Sequence, residues 1–361
     1  MDGNDVELKN PKVDDIVSAV KRYITPYEIE VNPFSVRFKF LDSDNPEVSR
    51  NFSLLYRELY SMGYLARIVK DYENYIEVSQ NQQRKFVSSK VNVVMLALTI
   101  LSTLYAGYLF SLDFVSPGPN SYWQALLYGA VFFSAPLLTI LGIHELGHFF
   151  VAKHYGLRAS LPFFIPFIPL GYSIGTFGAF ISIRDPFPDR KIMTNIGAAG
   201  PIAGFLTAFP LLFVANYLQG SIAPVNDFIP YFLNYPQIYS FLNLTMPVGT
   251  PVFPMVLAVW VGIFATAMNL IPVGQLDGGH IVRGIAGRRA SVISYIFLMF
   301  LILLSYFYLG WMLIAFLMLF LGLKHPPALD DNTPVGKLQI AIGIFALFIF
   351  LISFTYMPFY T

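Results

Sequence analysis

Long tracts without one formal charge constrain this chain more than any other feature. Residues 91–112, 114–144, 192–226, 228–276, 290–323 and 338–361 contain no Asp, Glu, Lys or Arg. Each tract has room for at least one apolar helix of about 20 residues, the length that crosses the hydrocarbon core of a bilayer. Backbone polar groups find no water there, so such tracts fold as helices. Composition agrees, with 55% of the 361 residues hydrophobic and 12% charged, against roughly 25% charged in an ordinary soluble domain. The charges gather at the front: residues 1–90 hold 13 of the 23 Lys and Arg and 14 of the 22 Asp and Glu. Their signs are mixed and the net charge is +1, which leaves no basic stripe and excludes nucleic acid as a main partner. With no cysteine in the sequence, disulfides, thiolate metal sites and a Cys nucleophile are excluded, and any metal must be held by His and carboxylates.

The expected fold is therefore an α-helical polytopic membrane protein of about six to seven transmembrane helices, with an N-terminal soluble α+β domain over residues 1–88 and a transmembrane domain over 89–361. The charged segment from Met1 to Lys21 is expected to be neither signal peptide nor anchor. Apolar periodicity predicts a helix over 13–24, a strand over 36–40, a helix over 52–62 ending at Gly63, and strands over 64–69 and 75–78. Membrane helices are expected near 91–110, 123–154, 192–218 and 252–274, within 290–323, and near 338–358. One helix through 290–323 would be about 50 Å long at 1.5 Å per residue, so a break near Tyr306–Trp311 is expected. Tyr122, Trp123, Tyr306, Tyr308 and Trp311 read as interfacial belt residues.

Basic residues orient the spans. Arg84, Lys85 and Lys90 precede the first; Lys153, Arg158, Arg184, Arg190 and Lys191 lie between the second and third; Arg283, Arg288 and Arg289 follow the fourth. That pattern puts the soluble domain, residues 155–191 and a 278–290 loop on the cytoplasmic side, and the cysteine-free, apolar composition with the expected lack of a signal peptide suits a cell (plasma) membrane.

The second span contains His144-Glu145-Leu146-Gly147-His148. On a helix, residues i and i+4 share a face, so both imidazoles reach one ion while Glu145, one step round, reaches a water beside it. Ionisable groups at membrane depth are costly unless paired, solvated or metal-bound. A catalytic zinc takes three protein ligands, so one more is needed. The acids left beyond residue 90 are Asp113, Asp185, Asp189, Asp227, Asp277, Asp330 and Asp331, beside His154, His280 and His325. Asp277 stands out, because it follows Asn269-Leu270-Ile271-Pro272 and precedes Gly278-Gly279, where a broken helix can line a wet cavity.

His-Glu-Leu-Gly-His in an apolar span, followed more than 120 residues on by Asn-x-x-Pro-x-x-x-Leu-Asp-Gly, resembles the site-2 protease family of intramembrane zinc metalloproteases. Gly175–Phe180 and Gly200-Pro201-Ile202-Ala203-Gly204 are similar to its archaeal and chloroplast-type branch. The resemblance covers about residues 90–325. It implies one zinc per chain held by His144, His148 and Asp277, Glu145 as general base, and Asn269 as a group holding substrate or oxyanion. It also implies membrane-anchored protein substrates cut in or near a transmembrane helix. The PDZ domain found in many members has no room in residues 219–250.

A helical substrate hides its scissile carbonyls and must unwind before attack. Phe163–Ile183, rich in Phe, Ile, Gly and Pro, reads as a re-entrant hairpin whose edge can pair with an unwound segment. A prenyl-protein protease is disfavoured because no Glu follows Glu145. A non-catalytic metal-transport or sensing protein is the alternative from another class.

Overall fold

The computed structural model describes residues 13–41, 46–70, 72–81, 86–168, 173–225, 232–247, 249–323, 325–332 and 334–360. Arg84, Lys85 and Asp227 lie outside them. The chain divides into two compact units.

The first unit begins with α1 (Val13–Tyr23), β1 (Glu28–Val31), β2 (Ser35–Lys39), α2 (Pro46–Ser61), β3 (Tyr64–Lys70) and β4 (Asn74–Gln80). Its antiparallel sheet has the order β1-β2-β4-β3. Alternation puts Val36 and Phe38 of β2, Ile76 and Val78 of β4, and Ala66 and Ile68 of β3 on the inner face. Ile16, Ala19 and Val20 of α1 pack there with Phe52, Leu55 and Leu59 of α2, positions spaced three and four apart as a helix stripe requires. The sequence signal for β1 is weak because its residues alternate without deep burial. Two distant stretches, Pro186–Arg190 and Pro327–Pro334, complete this unit. Leu329 is buried in its core, and its carbonyl accepts from the Ile68 N–H at 2.9 Å.

The second unit is mostly helical. Among the described residues, four helical stretches are long and apolar enough to cross a membrane: Ser89–Phe114, Ser121–His154, Arg190–Ser221 and Asp277–Leu304. The first is mainly α3 (Ser89–Ser111). The second comprises α4 (Ser121–Gly129), a π-helical turn (Ala130–Ser134) and α5 (Ala135–His154). The wide turn falls just before Pro136, which has no N–H to return to Phe132. The third is α6 (Arg190–Ser221). A two-residue strand β7 (Phe232–Leu233), a short helix α7 (Gln237–Phe241) and α8 (Pro254–Asn269) follow. The fourth joins α9 (Asp277–Ala286) to α10 (Ala290–Leu304). Shorter apolar helices are α8, α11 (Gly310–Leu321) and α12 (Lys337–Ser353), and the chain ends in β8 (Phe359–Tyr360), paired with β7.

Three expectations change. The helix expected over 252–274 stops at Asn269, because Pro272 cannot continue it and Gly274 turns at φ +55° where its backbone meets that of Gly322. The 278–290 loop is instead helical, opening at Asp277 and closing at Gly287 with φ +59°. Trp311 is no belt residue: it is fully buried, and its indole N–H donates to the Tyr356 carbonyl at 2.5 Å. Tyr122, Trp123 and Tyr306 are exposed. The break in the 290–323 tract occurs, between Leu304 and Gly310.

Residues 163–183 contain the expected hairpin, β5 (Phe163–Pro166) paired antiparallel with β6 (Thr176–Phe180). Its far end rests on α3, where the Ser102 hydroxyl donates to the Gly175 carbonyl at 2.6 Å. A Cβ on Gly175 would lie 2.5 Å from the Ser102 carbonyl oxygen, so only glycine permits this approach.

Candidate metal centre

Helix α5 carries His144, Glu145 and His148 at helical spacing, and all three are buried, at 4%, 5% and 6% exposure. The broken segment after α8 returns the chain so that Asp277 opens α9 against them. His144 Nε2 lies 3.3 Å from His148 Nε2 and 3.2 Å from Asp277 Oδ2. His148 Nε2 lies 3.1 Å from the same Asp277 oxygen. Three ligand atoms thus form a nearly equilateral triangle. Ligands of a tetrahedral zinc with bonds of 2.0–2.1 Å are separated by about 3.3 Å, so this donor set fits the ion in number, chemistry and spacing. Among the described residues no other group of three His, Asp or Glu side chains comes together in this way.

Neighbouring elements fix the imidazoles. His148 Nδ1 donates to the Ile196 carbonyl of α6 at 2.7 Å, which leaves the Nε2 lone pair directed at the triangle. Helix α6 approaches because glycines line it there. A Cβ on Gly200 would lie 2.0 Å from His148 Nε2, and one on Gly204 3.1 Å from His144 Nδ1. The Gly200–Gly204 spacing reads from sequence as close helix packing; what it packs against is the histidine pair. Asn269, the last residue of α8, brings Nδ2 to 3.2 Å from His144 Nε2. Glu145 Oε1 stands 4.0 Å from His144 Nε2, and α5 packs against β6 of the hairpin.

The other candidates lie elsewhere. His280 and His325 pack edge to face with ring centroids 4.4 Å apart, and His280 Nδ1 donates to the Leu276 carbonyl at 2.9 Å. His154 stacks edge-on to Tyr155. Asp185 is buried against Arg158. Ile196 carried no sequence signal, because a backbone carbonyl has no residue type.

Residues 132–305 match the model described as Peptidase family M50. The chain carries an M50 domain, of the site-2 protease family. That match takes in His144, Glu145, His148, Asn269 and Asp277. Relatives of the chain include the probable zinc metalloprotease EGY1, chloroplastic, of Arabidopsis thaliana, 30% identical over 305 residues, covering 77% of this chain and 55% of the relative. The EGY1 protein of Oryza sativa subsp. japonica is 28% identical over 306 residues, covering 77% of this chain and 52% of the relative. The probable zinc metalloprotease EGY2, chloroplastic, of Arabidopsis thaliana is 31% identical over 231 residues, covering 61% and 40%. The chain spans about half the length of the EGY1 relatives it matches. No solved structure matches it.

Proposed function

We propose that this protein is a zinc endopeptidase that hydrolyses peptide bonds in or near transmembrane segments of membrane-anchored proteins. The observation that carries the reading is the 3.1–3.3 Å triangle of His144 Nε2, His148 Nε2 and Asp277 Oδ2 with a buried Glu145 beside it. Those three residues would hold one zinc per chain. When bound, the ion supplies Lewis acidity, lowering the pKa of a water and polarising the scissile carbonyl. Glu145 takes the water proton on its carboxylate and returns it to the leaving amide nitrogen. Asn269 donates from Nδ2 to the oxyanion developing on the substrate, a role its place beside His144 supports. The β5–β6 hairpin offers an edge on which an unwound substrate strand satisfies its backbone groups.

In this reading residues 1–88 form a soluble domain and 89–361 a membrane metalloprotease domain, with α8, α11 and α12 raising the crossings from four to six or seven. The basic connections, Lys153 to Lys191 and Arg288 to Arg289, face the cytoplasm of a cell membrane, and the site opens to that side. The relatives named chloroplastic fit an equivalent placement in an organelle of cytoplasm-like interior.

The test compares wild type with Glu145→Gln on a single-span membrane substrate in lipid vesicles. Both proteins are expected to carry equal zinc, with cleavage by the variant lower by about 10²–10⁴-fold, the usual worth of a general base. Equal cleavage by the two contradicts the reading.

A further inference from the structure

Asp185 is among the acids a metal would accept, yet its side chain is 1% exposed and meets Arg158. The guanidinium engages both carboxylate oxygens: Arg158 Nε donates to Asp185 Oδ1 at 3.0 Å and to Oδ2 at 3.3 Å, and Nη2 donates to Oδ1 at 2.7 Å. The Arg158 backbone N–H donates to Oδ2 at 2.6 Å. Asp185 is buried while the Arg158 side chain is 33% exposed, and the charge-assisted hydrogen bonds between them give the contact a defined geometry.

What it fixes is the foot of the hairpin. Arg184 N–H donates to the Arg158 carbonyl at 3.1 Å, and Ser160 N–H to the Ser182 carbonyl at 2.9 Å. Ala159 and Ile183 face each other as an antiparallel bridge between those bonds. The regular ladder resumes only at Phe163 opposite Phe180. Between the two paired parts sits Ile181, directly after β6, the strand that packs against α5, the helix carrying Glu145. The foot follows α5 by only a few residues, since Arg158 lies four past His154. Register set at 158–185 is therefore carried along β6 to the flank of the metal centre. With Ser102 holding the far end at Gly175, the hairpin is secured at both ends.

We propose that Arg158 and Asp185 are positioning residues for the peptidase reaction, their ion pair closing the hairpin foot and so setting where the substrate strand lies beside Glu145. This rests on the peptidase reading. Neither residue touches the reacting atoms, so the pair acts on substrate placement and its loss appears in KM.

The test measures kcat, KM and zinc content of the full-length protein with a single-span transmembrane substrate. Arg158→Gln and Asp185→Asn are each expected to raise KM about tenfold, equivalent to about 1.4 kcal/mol of substrate binding, with kcat close to wild type and zinc unchanged. The double variant is no worse than either single one, because both remove one interaction. Arg158→Lys keeps the charge without the fork and gives an intermediate KM; it also serves where a charge-removing variant fails to fold. Because the chain has no cysteine, a disulfide supplies the decisive arm. Positions 159 and 183 form a bridge of the non-hydrogen-bonded kind, with Cα atoms about 4.5 Å apart, within disulfide range. Ala159→Cys with Ile183→Cys, added to Asp185→Asn and oxidised, is expected to restore KM, and reductant to raise it again. The proposal is overturned by unchanged KM in the charge variants, by zinc loss accompanying the defect, or by a formed disulfide that leaves KM raised. Wild-type protein that holds zinc and cleaves no transmembrane substrate overturns the peptidase reading and this proposal together. Cleavage by wild type matched by all variants overturns the proposal alone.

Discussion

A methyl group at Gly200 would stand 2.0 Å from His148 Nε2, closer than any packed carbon can come, and the obstacle is the ligand atom itself. Gly200→Ala is predicted to lower zinc affinity by about 10–100-fold or more, as loss of a ligand-orienting contact does, measured by competition with a chelator of known affinity. Unchanged affinity contradicts the packing described. Asn269→Ala is expected to keep its zinc and lose about 10²–10³ in kcat, the worth of one oxyanion donor; a rise in KM alone contradicts that role. Residues at this scale differ in how far the sequence reveals them. His144, Glu145, His148 and Asp277 stand out because ligand and base chemistry needs rare residue types, and the chain holds only 5 His and no Glu beyond Glu145. Gly200 is one of 26 glycines, and the geometry of a helix crossing decides which of them faces a histidine.

At the scale of elements, the helices follow from charge-free length, while the places where they break do not. Hydropathy carries α8 through to residue 274, but Pro272 and the contact of Gly274 with Gly322 stop it at Asn269 and let α9 begin at the ligand itself. The segment after α11 makes that contact and also holds His325. Burial first, and then the neighbouring His280, push the His325 imidazole down from 6.5 to about 4. The folded segment thus excludes a proton that the unfolded segment accepts near 6.5. Its contribution to stability is full above about 6.5 and is lost as the pH falls toward 4. Exchange of the His325 and Ala328 amides, after correction for intrinsic rates, is expected to quicken between pH 7 and pH 5, and His325→Asn to flatten that change. A segment equally protected at both pH values contradicts it.

Across the whole molecule, the unit at the chain's start is completed by residues from near its end. Leu329 sits at 6% exposure in the core formed by Val20, Phe38, Leu55 and Ile76, and it also donates its N–H to Phe187 at 2.9 Å. Nothing local marks Leu329 for that core, since Pro326-Pro327-Ala328-Leu329 reads as a connection and the pairing spans most of the sequence. Leu329→Ala is predicted to destabilise this unit by about 2–5 kcal/mol, the range for emptying a buried leucine site. In the full-length protein it should speed limited proteolysis within residues 13–81, and an unaltered cleavage pattern contradicts the assignment.

Zinc-edge X-ray absorption on the purified protein tests most directly whether two imidazoles and a carboxylate, brought together from α5 and the start of α9, hold one zinc. The expected result is stoichiometric zinc with two imidazole ligands at about 2.0–2.1 Å, only light-atom oxygen or nitrogen donors otherwise, and one imidazole fewer in His148→Asn. Protein that holds no zinc, or a zinc environment identical in wild type, His148→Asn and Asp277→Ala, contradicts it.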